Sequence, residues 1–270
     1  MTGSSAYSGQ EYVSRLDTNV PHSARVWNYW LGGKDNFAAD RATGDQVLRA
    51  YPEIVEVARV SRAFLARAVG YLAGEMGIRQ FLDVGTGLPT ANNTHEVAQR
   101  VAPSARIVYV DNDPLVLVHA RALLTSSPEG ATDYLDADLR DPDKILRGAA
   151  DTLDFTQPIA LMMLGILGYI ADYDEACFVV RRLLDALPSG SYLVINDGTT
   201  ASEADIAANR TAQQAGLQYH LRSKEQFVGF FDGLELIEPG VVSTPRWRPE
   251  PAPSGLPAEL AVFCAVARKP

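Results

Sequence analysis

From residue 80 onward, short apolar runs alternate with stretches of helical periodicity, and this alternation constrains the fold more than any other feature of the sequence. The first five apolar runs lie at 80–84, 106–110, 132–135, 159–164 and 192–195. Two of the helical stretches open with an N-cap acid and a proline, Asp113-Pro114 and Asp141-Pro142. Further strands are expected near 234–237 and 261–267, separated by a loop at 239–257. The pattern predicts an α/β fold with a doubly wound, mostly parallel seven-stranded sheet and helices on both faces.

The residues before the first predicted strand differ in character from the rest. The first ten residues are small and polar, and we expect a disordered tail over residues 1–12. Residues 13–77 are expected to form a helical cap or lid, because aromatic residues crowd its first part and an amphipathic helix is indicated between Pro52 and Glu75. The sheet domain is then expected over 78–270.

Charge and cysteine content narrow the expected partners. Lys and Arg number 24 against 33 Asp and Glu, a net charge of −9, so no nucleic-acid partner is expected. The basic residues Arg59, Arg62 and Arg67 are spaced along one helix and are interpreted as a solvated face. Two cysteines are too few for a disulfide framework or a tetrahedral metal site, and no metal is predicted. No apolar run reaches the roughly 18–20 residues of a membrane span and no secretory signal is recognisable, which predicts a cytoplasmic protein without a membrane partner.

Three acidic residues follow the first three predicted strands at the spacing of one βα unit. Asp83 opens the turn Asp83-Val-Gly85-Thr86-Gly87, Asp111 comes 28 residues later, and Asp138 follows after another 27. Ligands bind at the carboxyl edge of such sheets, where glycines admit a close backbone approach and carboxylates can accept ribose hydroxyls or an adenine amino group. The pattern predicts a nucleoside site. Each sign also has a structural interpretation: tight turns use glycine, Asp111 could cap a turn, and Asp138 could pair with Arg140 or Arg106.

The glycine turn distinguishes between two nucleoside cofactors. A dinucleotide site requires a third glycine in Gly-x-Gly-x-x-Gly, and the register from Gly85 places Thr90 at that position. The Asp83 carboxylate is unfavourable for a pyrophosphate, whereas it suits the cationic sulfonium and amino groups of S-adenosylmethionine. The residues therefore favour S-adenosylmethionine over NAD.

Three stretches of the chain resemble the class I S-adenosylmethionine-dependent methyltransferases: Phe81-Leu-Asp-Val-Gly-Thr-Gly-Leu-Pro-Thr90, Val108-Tyr-Val-Asp-Asn-Asp-Pro114 and Asp136-Ala-Asp-Leu-Arg-Asp-Pro142. Over residues 15–270 the chain resembles, more narrowly, a bacterial S-adenosyl methyltransferase family formerly grouped as a domain of unknown function. Its most specific motif here is Gly32-Gly-Lys-Asp-Asn36. The resemblance implies a Rossmann-like methyltransferase sheet and S-adenosylmethionine as cofactor. The stretches 164–170 and 196–198 depart from the family pattern, which leaves the substrate open.

The resemblance also implies residue roles that agree with the three-acid pattern. The amino-acid end of the cofactor would be held by Asp83, Gly85, Thr86 and Gly87, the ribose by Asp111, and the adenine by Asn112, Asp138 and Leu139.

The remaining site candidates rest on weaker signals. Candidate catalytic residues are Tyr169, Asp197 and His95, of which His95 could instead be a hydrogen-bonded structural residue. Candidate substrate or lid residues are Arg25, Tyr29, Asp35 and Asn36, together with Trp27 and Trp30. Arg25 could bind a substrate carboxylate or pair with a surface acid, and the aromatic residues could cover the cofactor or only pack the cap.

The expected function is S-adenosylmethionine-dependent methyl transfer to a small molecule. One alternative is a regulator that binds the cofactor without catalysis, because no obvious general base follows the fourth predicted strand. The other is an NAD-dependent oxidoreductase, which Thr90 and Asp83 disfavour.

Overall fold

The computed structural model describes residues 16–123, 125–201, 203–251, 253 and 255–270, so the predicted tail at 1–12 lies outside the described residues. One sheet contains the described strands β1 Gln80–Val84, β2 Arg106–Asp111, β3 Ala131–Asp136, β4 Ala160–Leu164, β5 Tyr192–Gly198, β6 Glu235–Leu236, β7 Val242–Ser243 and β8 Val262–Arg268. The strand order is β3-β2-β1-β4-β5-β8-β6, and β7 pairs with β8. Strands β1 to β5 are parallel, and β8 is antiparallel to β5, β6 and β7. The predicted doubly wound, mostly parallel sheet is confirmed.

Helices cover both faces of this sheet and precede its first strand. They are α1 Ser23–Trp30, α2 Ala38–Ala50, α3 Ile54–Gly74, α4 Thr94–Val101, α5 Pro114–Leu123, α6 Pro142–Ala149, α7 Tyr173–Asp185, α8 Glu203–Gln214 and α9 Lys224–Gly229. Within the described residues, none of them is both long enough and apolar enough to cross a membrane. The N-cap predicted at Asp141 is present, since its carboxylate accepts a hydrogen bond from the Lys144 N–H.

The almost wholly apolar sequence of β4 is explained by burial on both faces. Leu161 and Met163 point into one core cluster with α7, whereas Ala160 and Met162 point into the cluster that contains α3 and α4. A central parallel strand has no solvated face, so neither side of β4 can carry polar residues.

The first two helices pack over α8 and α3 and not on the sheet. Val26, Trp30 and Val47 form a small core with Ala58 of α3 and Ala212 of α8. The Thr43 hydroxyl donates to the carbonyl of Ala215. Since α8 follows β5, this packing brings α1 to the carboxyl edge of the sheet. The division into a cap at 13–77 and a sheet domain at 78–270 stays a prediction.

The prediction of a loop over residues 239–257 was wrong for the first part of that segment. It contains strand β7 and a 3₁₀ turn at Thr244–Arg246, followed by Trp247, which is fully buried against Phe64 and Tyr71. The proline and glycine residues of this segment predicted a loop, but burial of the Trp247 indole fixes the chain against α3.

The prediction of a solvated basic face was also wrong for Arg62 and Arg67. Arg59 is exposed, but Arg67 donates from Nε and Nη2 to the carbonyls of Trp247 and Thr244. Arg62 is directed toward the carboxyl edge of the sheet. The arginines hold these positions because α3 is covered on two sides, which its own periodicity does not reveal.

Candidate functional site

The turn after β1 forms the first wall of the candidate site. Asp83 at the end of β1 is buried, and the Thr94 hydroxyl donates a 2.5 Å hydrogen bond to its carboxylate. Burial raises the pKa of Asp83 to about 6, although the Thr94 hydrogen bond and the charge of Arg62 oppose this. Gly85 and Gly87 both have positive φ, at 75° and 67°. A Cβ on Gly85 would lie 2.5 Å from the Ile166 side chain, so the backbone there needs glycine for space as well as for conformation.

The second wall is built on the end of β2. Asp111 is buried, and its two carboxylate oxygens accept hydrogen bonds from the N–H groups of Gly87, at 2.9 Å, and Asp113, at 3.0 Å. Burial raises the pKa of Asp111 despite these two bonds. The second lone pair of each oxygen remains, so the carboxylate could accept two hydroxyl groups as well.

The third wall follows β3. The Asn112 amide donates to Asp138 across 3.4 Å, and Asp138 also accepts from the backbone N–H of Arg140 at 2.8 Å. The Arg140 guanidinium lies 3.6 Å from the Asp138 carboxylate, so the alternative in which Asp138 pairs with Arg140 describes one of its contacts. Arg106, the other possible partner, donates to the Thr152 carbonyl. Asp138 is about half exposed and is free to accept further hydrogen bonds on its open side.

These walls enclose one cavity of about 370 Å³, called here the edge cavity. All eight residues predicted to bind a cofactor line it: Asp83, Gly85, Thr86, Gly87, Asp111, Asn112, Asp138 and Leu139. Its volume falls within the range of about 300–1,000 Å³ that holds small molecules and cofactors. The carboxylates present acceptors for hydroxyl, amino and cationic groups and disfavour phosphates, so the lining fits S-adenosylmethionine better than a dinucleotide.

Three residues of α3 line the edge cavity, Ser61, Arg62 and Leu65, and none of them was predicted as a site residue. The Arg62 Nη2 atom donates to the carbonyls of Ala91 and Asn92, whereas its buried Nε has no hydrogen-bond partner in the described structure. Ser61, which is 6% exposed, also has an unpartnered hydroxyl. The sequence does carry a signal for Ser61, because a polar residue stands there in the apolar stripe formed by Val57, Ala58 and Leu65.

A second cavity of about 110 Å³, called here the aromatic cavity, adjoins the edge cavity. The two share the lining residues Trp27, Ser61, Gly165, Tyr169 and Asn196. The structure therefore places Tyr169 at the junction and Asp197 within the aromatic cavity.

The Asp197 carboxylate is the most perturbed acid in the aromatic cavity. It accepts hydrogen bonds from the N–H groups of Gly168, at 3.2 Å, and Gly198, at 3.1 Å. Burial nevertheless raises its pKa to about 7. Burial also raises the pKa of the Tyr169 phenol, whose ring packs edge-on against Tyr219 at 5.1 Å. A group that exchanges its proton near neutral pH thus lies close to the junction.

His95 lines neither cavity. Its ring Nδ1 and its backbone N–H both contact the Tyr109 hydroxyl, at 2.8 and 2.7 Å, inside the core. Burial lowers the pKa of His95. This geometry supports the structural alternative and not a catalytic base.

Tyr29 also faces away from both cavities, since its hydroxyl donates to Asp45 at 2.7 Å. Trp27 and Trp30 do line the aromatic cavity. The Nε of Arg25 lies 3.2 Å from the carboxylate of Asp113, which is buried and is not a surface acid. These contacts give no support to a cofactor-covering role for Tyr29 or to a substrate contact by Arg25, and both roles stay predictions.

The predicted lid residues Asp35 and Asn36 both form hydrogen bonds to Asn28 of α1. The Asp35 N–H and the Asn36 amide both donate to the Asn28 side-chain oxygen, at 3.1 and 2.9 Å. A Cβ on Gly33 would lie 2.3 Å from the Asn28 amide, which explains a glycine there. Asn28 itself lines the edge cavity, so this motif fixes one cavity wall without contributing its own acid.

No group of three or more His, Cys, Asp or Glu residues is arranged to hold a metal ion within the described part of the chain. The sequence-based expectation of no metal stays a prediction.

The strand order, with the antiparallel strand β8 between β5 and β6, and the acid-lined cavity at the carboxyl edge define a Rossmann-like methyltransferase fold. A family model described as S-adenosyl methyltransferase matches residues 9–270, and the chain belongs to this family. The match confirms the resemblance seen in the motifs. The protein is an S-adenosylmethionine-dependent methyltransferase by family, and S-adenosylmethionine is its cofactor.

Solved structures support this membership. A DUF574 family protein from Streptomyces avermitilis MA-4680 is 46% identical, with 94% of this chain and 99% of that chain covered and a TM-score of 0.89. A protein from Thermobifida fusca YX, described as a candidate methyltransferase, is 43% identical, with 94% and 97% covered and a TM-score of 0.87. Magnesium protoporphyrin IX methyltransferase from Synechocystis PCC 6803, solved with bound SAH, shares the fold alone, at 10% identity, 91% and 93% coverage and a TM-score of 0.53. No curated protein matches the chain. Neither the regulator nor the NAD-dependent alternative gains support.

Proposed function

We propose that the protein transfers the methyl group of S-adenosylmethionine to a small molecule that binds where the edge cavity meets the aromatic cavity. The observation that carries the proposal is that all eight predicted cofactor residues line one cavity and that this cavity shares a wall with a second one. Bound S-adenosylmethionine would supply an electrophilic methyl group on a positively charged sulfur.

The proposed roles follow the chemistry of each wall. Asp111 would accept the ribose hydroxyls with its remaining lone pairs, and Asp138 would accept the adenine amino group while the Leu139 N–H donates to the ring. Asn112 would lie beside the purine. Asp83 and the glycine turn would hold the amino-acid end.

Arg62 is assigned to the carboxylate of that amino-acid end. Arg62 lines the edge cavity, and its buried Nε has no partner in the described structure. A buried guanidinium N–H without an acceptor is costly, and a cofactor carboxylate would satisfy it.

Trp27 and Tyr169 would complete the junction. Both line the two cavities, so aromatic faces border the place where acceptor and sulfonium meet. Aromatic faces stabilise nearby cations, and their bulk excludes water from the reacting groups.

The cytoplasmic location and the small-molecule acceptor expected from the sequence are part of the same proposal. Cys177 and Cys264 are both buried free thiols, which suits a cytoplasmic enzyme. The net charge of −9 supports a small-molecule acceptor over a nucleic acid.

Calorimetric titration with S-adenosylmethionine and S-adenosylhomocysteine tests the proposal. We expect micromolar binding by the wild type and a loss of at least roughly tenfold in Asp111→Ala, since each hydrogen bond to a charged group contributes about 1.5–3 kcal/mol. Asp174→Ala is the matched control, because Asp174 is an exposed acid away from both cavities. Circular dichroism verifies that each variant is folded. Absence of binding by folded wild-type protein would contradict the proposal.

A further inference from the structure

The aromatic cavity has a lining that differs from that of the edge cavity in both polarity and charge. We propose that it binds the methyl acceptor and that this acceptor is an amine on an apolar body about one ring in size. This inference rests on the proposed function, because it names the substrate class of the same site.

The walls of the aromatic cavity select an apolar body. Five aromatic side chains line it, namely Trp27, Trp30, Tyr51, Tyr169 and Tyr219. Aliphatic residues from α2, α3 and α8 complete the lining, among them Val47, Ile54 and Ala212. Its volume of about 110 Å³ is comparable with apolar cavities of about 150 Å³ that hold one benzene ring.

The charges at the aromatic cavity select against anions. Asp197 and Asp205 line it, whereas no Lys, Arg or His is found among the described lining residues. Arg222 lies near Asp197 but donates to the carbonyls of Ala171 and Ile170 and does not line the cavity. An anionic acceptor would therefore be desolvated beside two acids, and the described lining offers it no cationic side chain, whereas an ammonium group is attracted by the acids.

An aromatic and an acidic residue of the lining, Tyr51 and Asp205, also interact electrostatically. Burial raises the pKa of the Tyr51 phenol, and the charge of Asp205 raises it further, so the two side chains lie close enough to interact. A cation placed against the ring and the carboxylate would be stabilised by both.

A separate observation supports a nitrogen at the junction. Ser61 lines both cavities, and its buried hydroxyl has no hydrogen-bond partner in the described structure. An acceptor N–H can donate to its oxygen, which would satisfy the hydroxyl and direct the nitrogen toward the edge cavity.

The lining of the aromatic cavity can support each step of methyl transfer to an amine. An ammonium acceptor first loses one proton, which Asp197 can take because burial raises its pKa to about 7. The nitrogen lone pair forms a bond to the methyl carbon while the carbon–sulfur bond breaks, and that electron pair stays on sulfur. The products are the N-methyl ammonium compound and S-adenosylhomocysteine, and the proton on Asp197 leaves to water.

Three probes of one size test the inference: benzylamine, benzyl alcohol and benzoate, each titrated calorimetrically into protein saturated with S-adenosylhomocysteine. We expect benzylamine to bind at least about tenfold more tightly than benzoate, with the alcohol between them. Equal affinities, a preference for benzoate, or no binding of any probe to the loaded protein would overturn the inference. Such a result would leave the proposed function standing, because binding of S-adenosylhomocysteine is measured first and separately.

Matched variants separate charge from packing. Asp205→Asn should lower the affinity for benzylamine toward that for benzyl alcohol, because only Asp197 then remains charged. Asp174 lies in the first turn of α7, as Asp205 lies in the first turn of α8, and Asp174→Asn should leave both affinities unchanged. Unchanged benzylamine affinity in Asp205→Asn would overturn the role of charge.

Ser61→Ala tests the hydroxyl separately. We expect a several-fold loss of benzylamine affinity with an unchanged or higher melting temperature. A higher melting temperature with full affinity would show that the hydroxyl is only an unsatisfied core group and would overturn its role.

Discussion

The backbone N–H of Gly87 donates a 2.9 Å hydrogen bond to the carboxylate of Asp111. This bond joins the turn after β1 to the end of β2, two segments that the sequence separates by one βα unit. The two proposed cofactor contacts are therefore one structural unit, and a change in Asp111 also loosens the glycine turn.

Asp111→Asn is predicted to lower the affinities for S-adenosylmethionine and S-adenosylhomocysteine by the same factor, roughly tenfold or more. The ribose is common to both ligands, and an amide replaces one of the acceptors that a carboxylate offers to hydroxyl groups. Parallel titrations of both ligands measure this. Unequal losses would show that Asp111 senses the sulfur and would contradict its assignment to the ribose.

Gly85→Ala is predicted to lower the free energy of unfolding by more than Gly87→Ala does. Both substitutions force alanine to a positive φ, which costs about 1–2 kcal/mol. Only Gly85 adds a clash, with Ile166, whereas nothing lies within 4 Å of a Cβ on Gly87. Overpacking adds about 1–3 kcal/mol.

Urea unfolding of these variants, with Ile166→Ala added to each, measures the coupling between the two sites. We expect Ile166→Ala to recover part of the loss in Gly85→Ala and none in Gly87→Ala. Equal effects in the two backgrounds would show that Ile166 is not what confines Gly85.

The fold and the cofactor cavity were readable from the sequence because their signals are local. Each apolar run, such as 159–164, marks its own strand, and the acids at 83, 111 and 138 follow from the position of a strand end alone. The parallel sheet then brings them together without further information.

The aromatic cavity could not be predicted in the same way. It is formed where α1, α2 and α3 pack against α8, and this contact joins residues as distant in sequence as Trp30 and Ala212. Asp205 carries no motif that distinguishes it from an exposed first-turn acid. Arg25 and Tyr29 show the opposite case. Both look functional in the sequence, but Arg25 pairs with Asp113 and the Tyr29 hydroxyl donates to Asp45.

Asp197 is predicted to make the fold more stable at pH 5 than at pH 8. Burial raises its folded pKa to about 7, well above the ordinary value of an unfolded aspartate near 4. Between those two values the folded protein holds a proton that the unfolded chain has released, so the free energy of unfolding falls as pH rises. Asp83, with a pKa raised to about 6, acts in the same direction.

Urea unfolding at pH 5, 6, 7 and 8 measures this dependence in the wild type and in Asp197→Asn. The variant should lose part of the slope, on the order of a few kcal/mol between the ends of the range. An identical slope in both proteins would mean that Asp197 does not titrate as its burial indicates. Asp83→Asn repeats the comparison if Asp197→Asn does not fold.

Arg62→Gln is predicted to abolish a preference for S-adenosylmethionine over its decarboxylated analogue. The wild type should bind the intact cofactor roughly tenfold or more tightly, because the buried Nε of Arg62 then gains a charged acceptor. Arg59→Gln is the matched control, since Arg59 stands one turn earlier on α3 and pairs with Glu56 in solvent. It should keep the full preference. A preference that survives in Arg62→Gln would assign the carboxylate to another part of the edge cavity, whereas its loss there and not in Arg59→Gln would fix the orientation of the cofactor along the sheet edge.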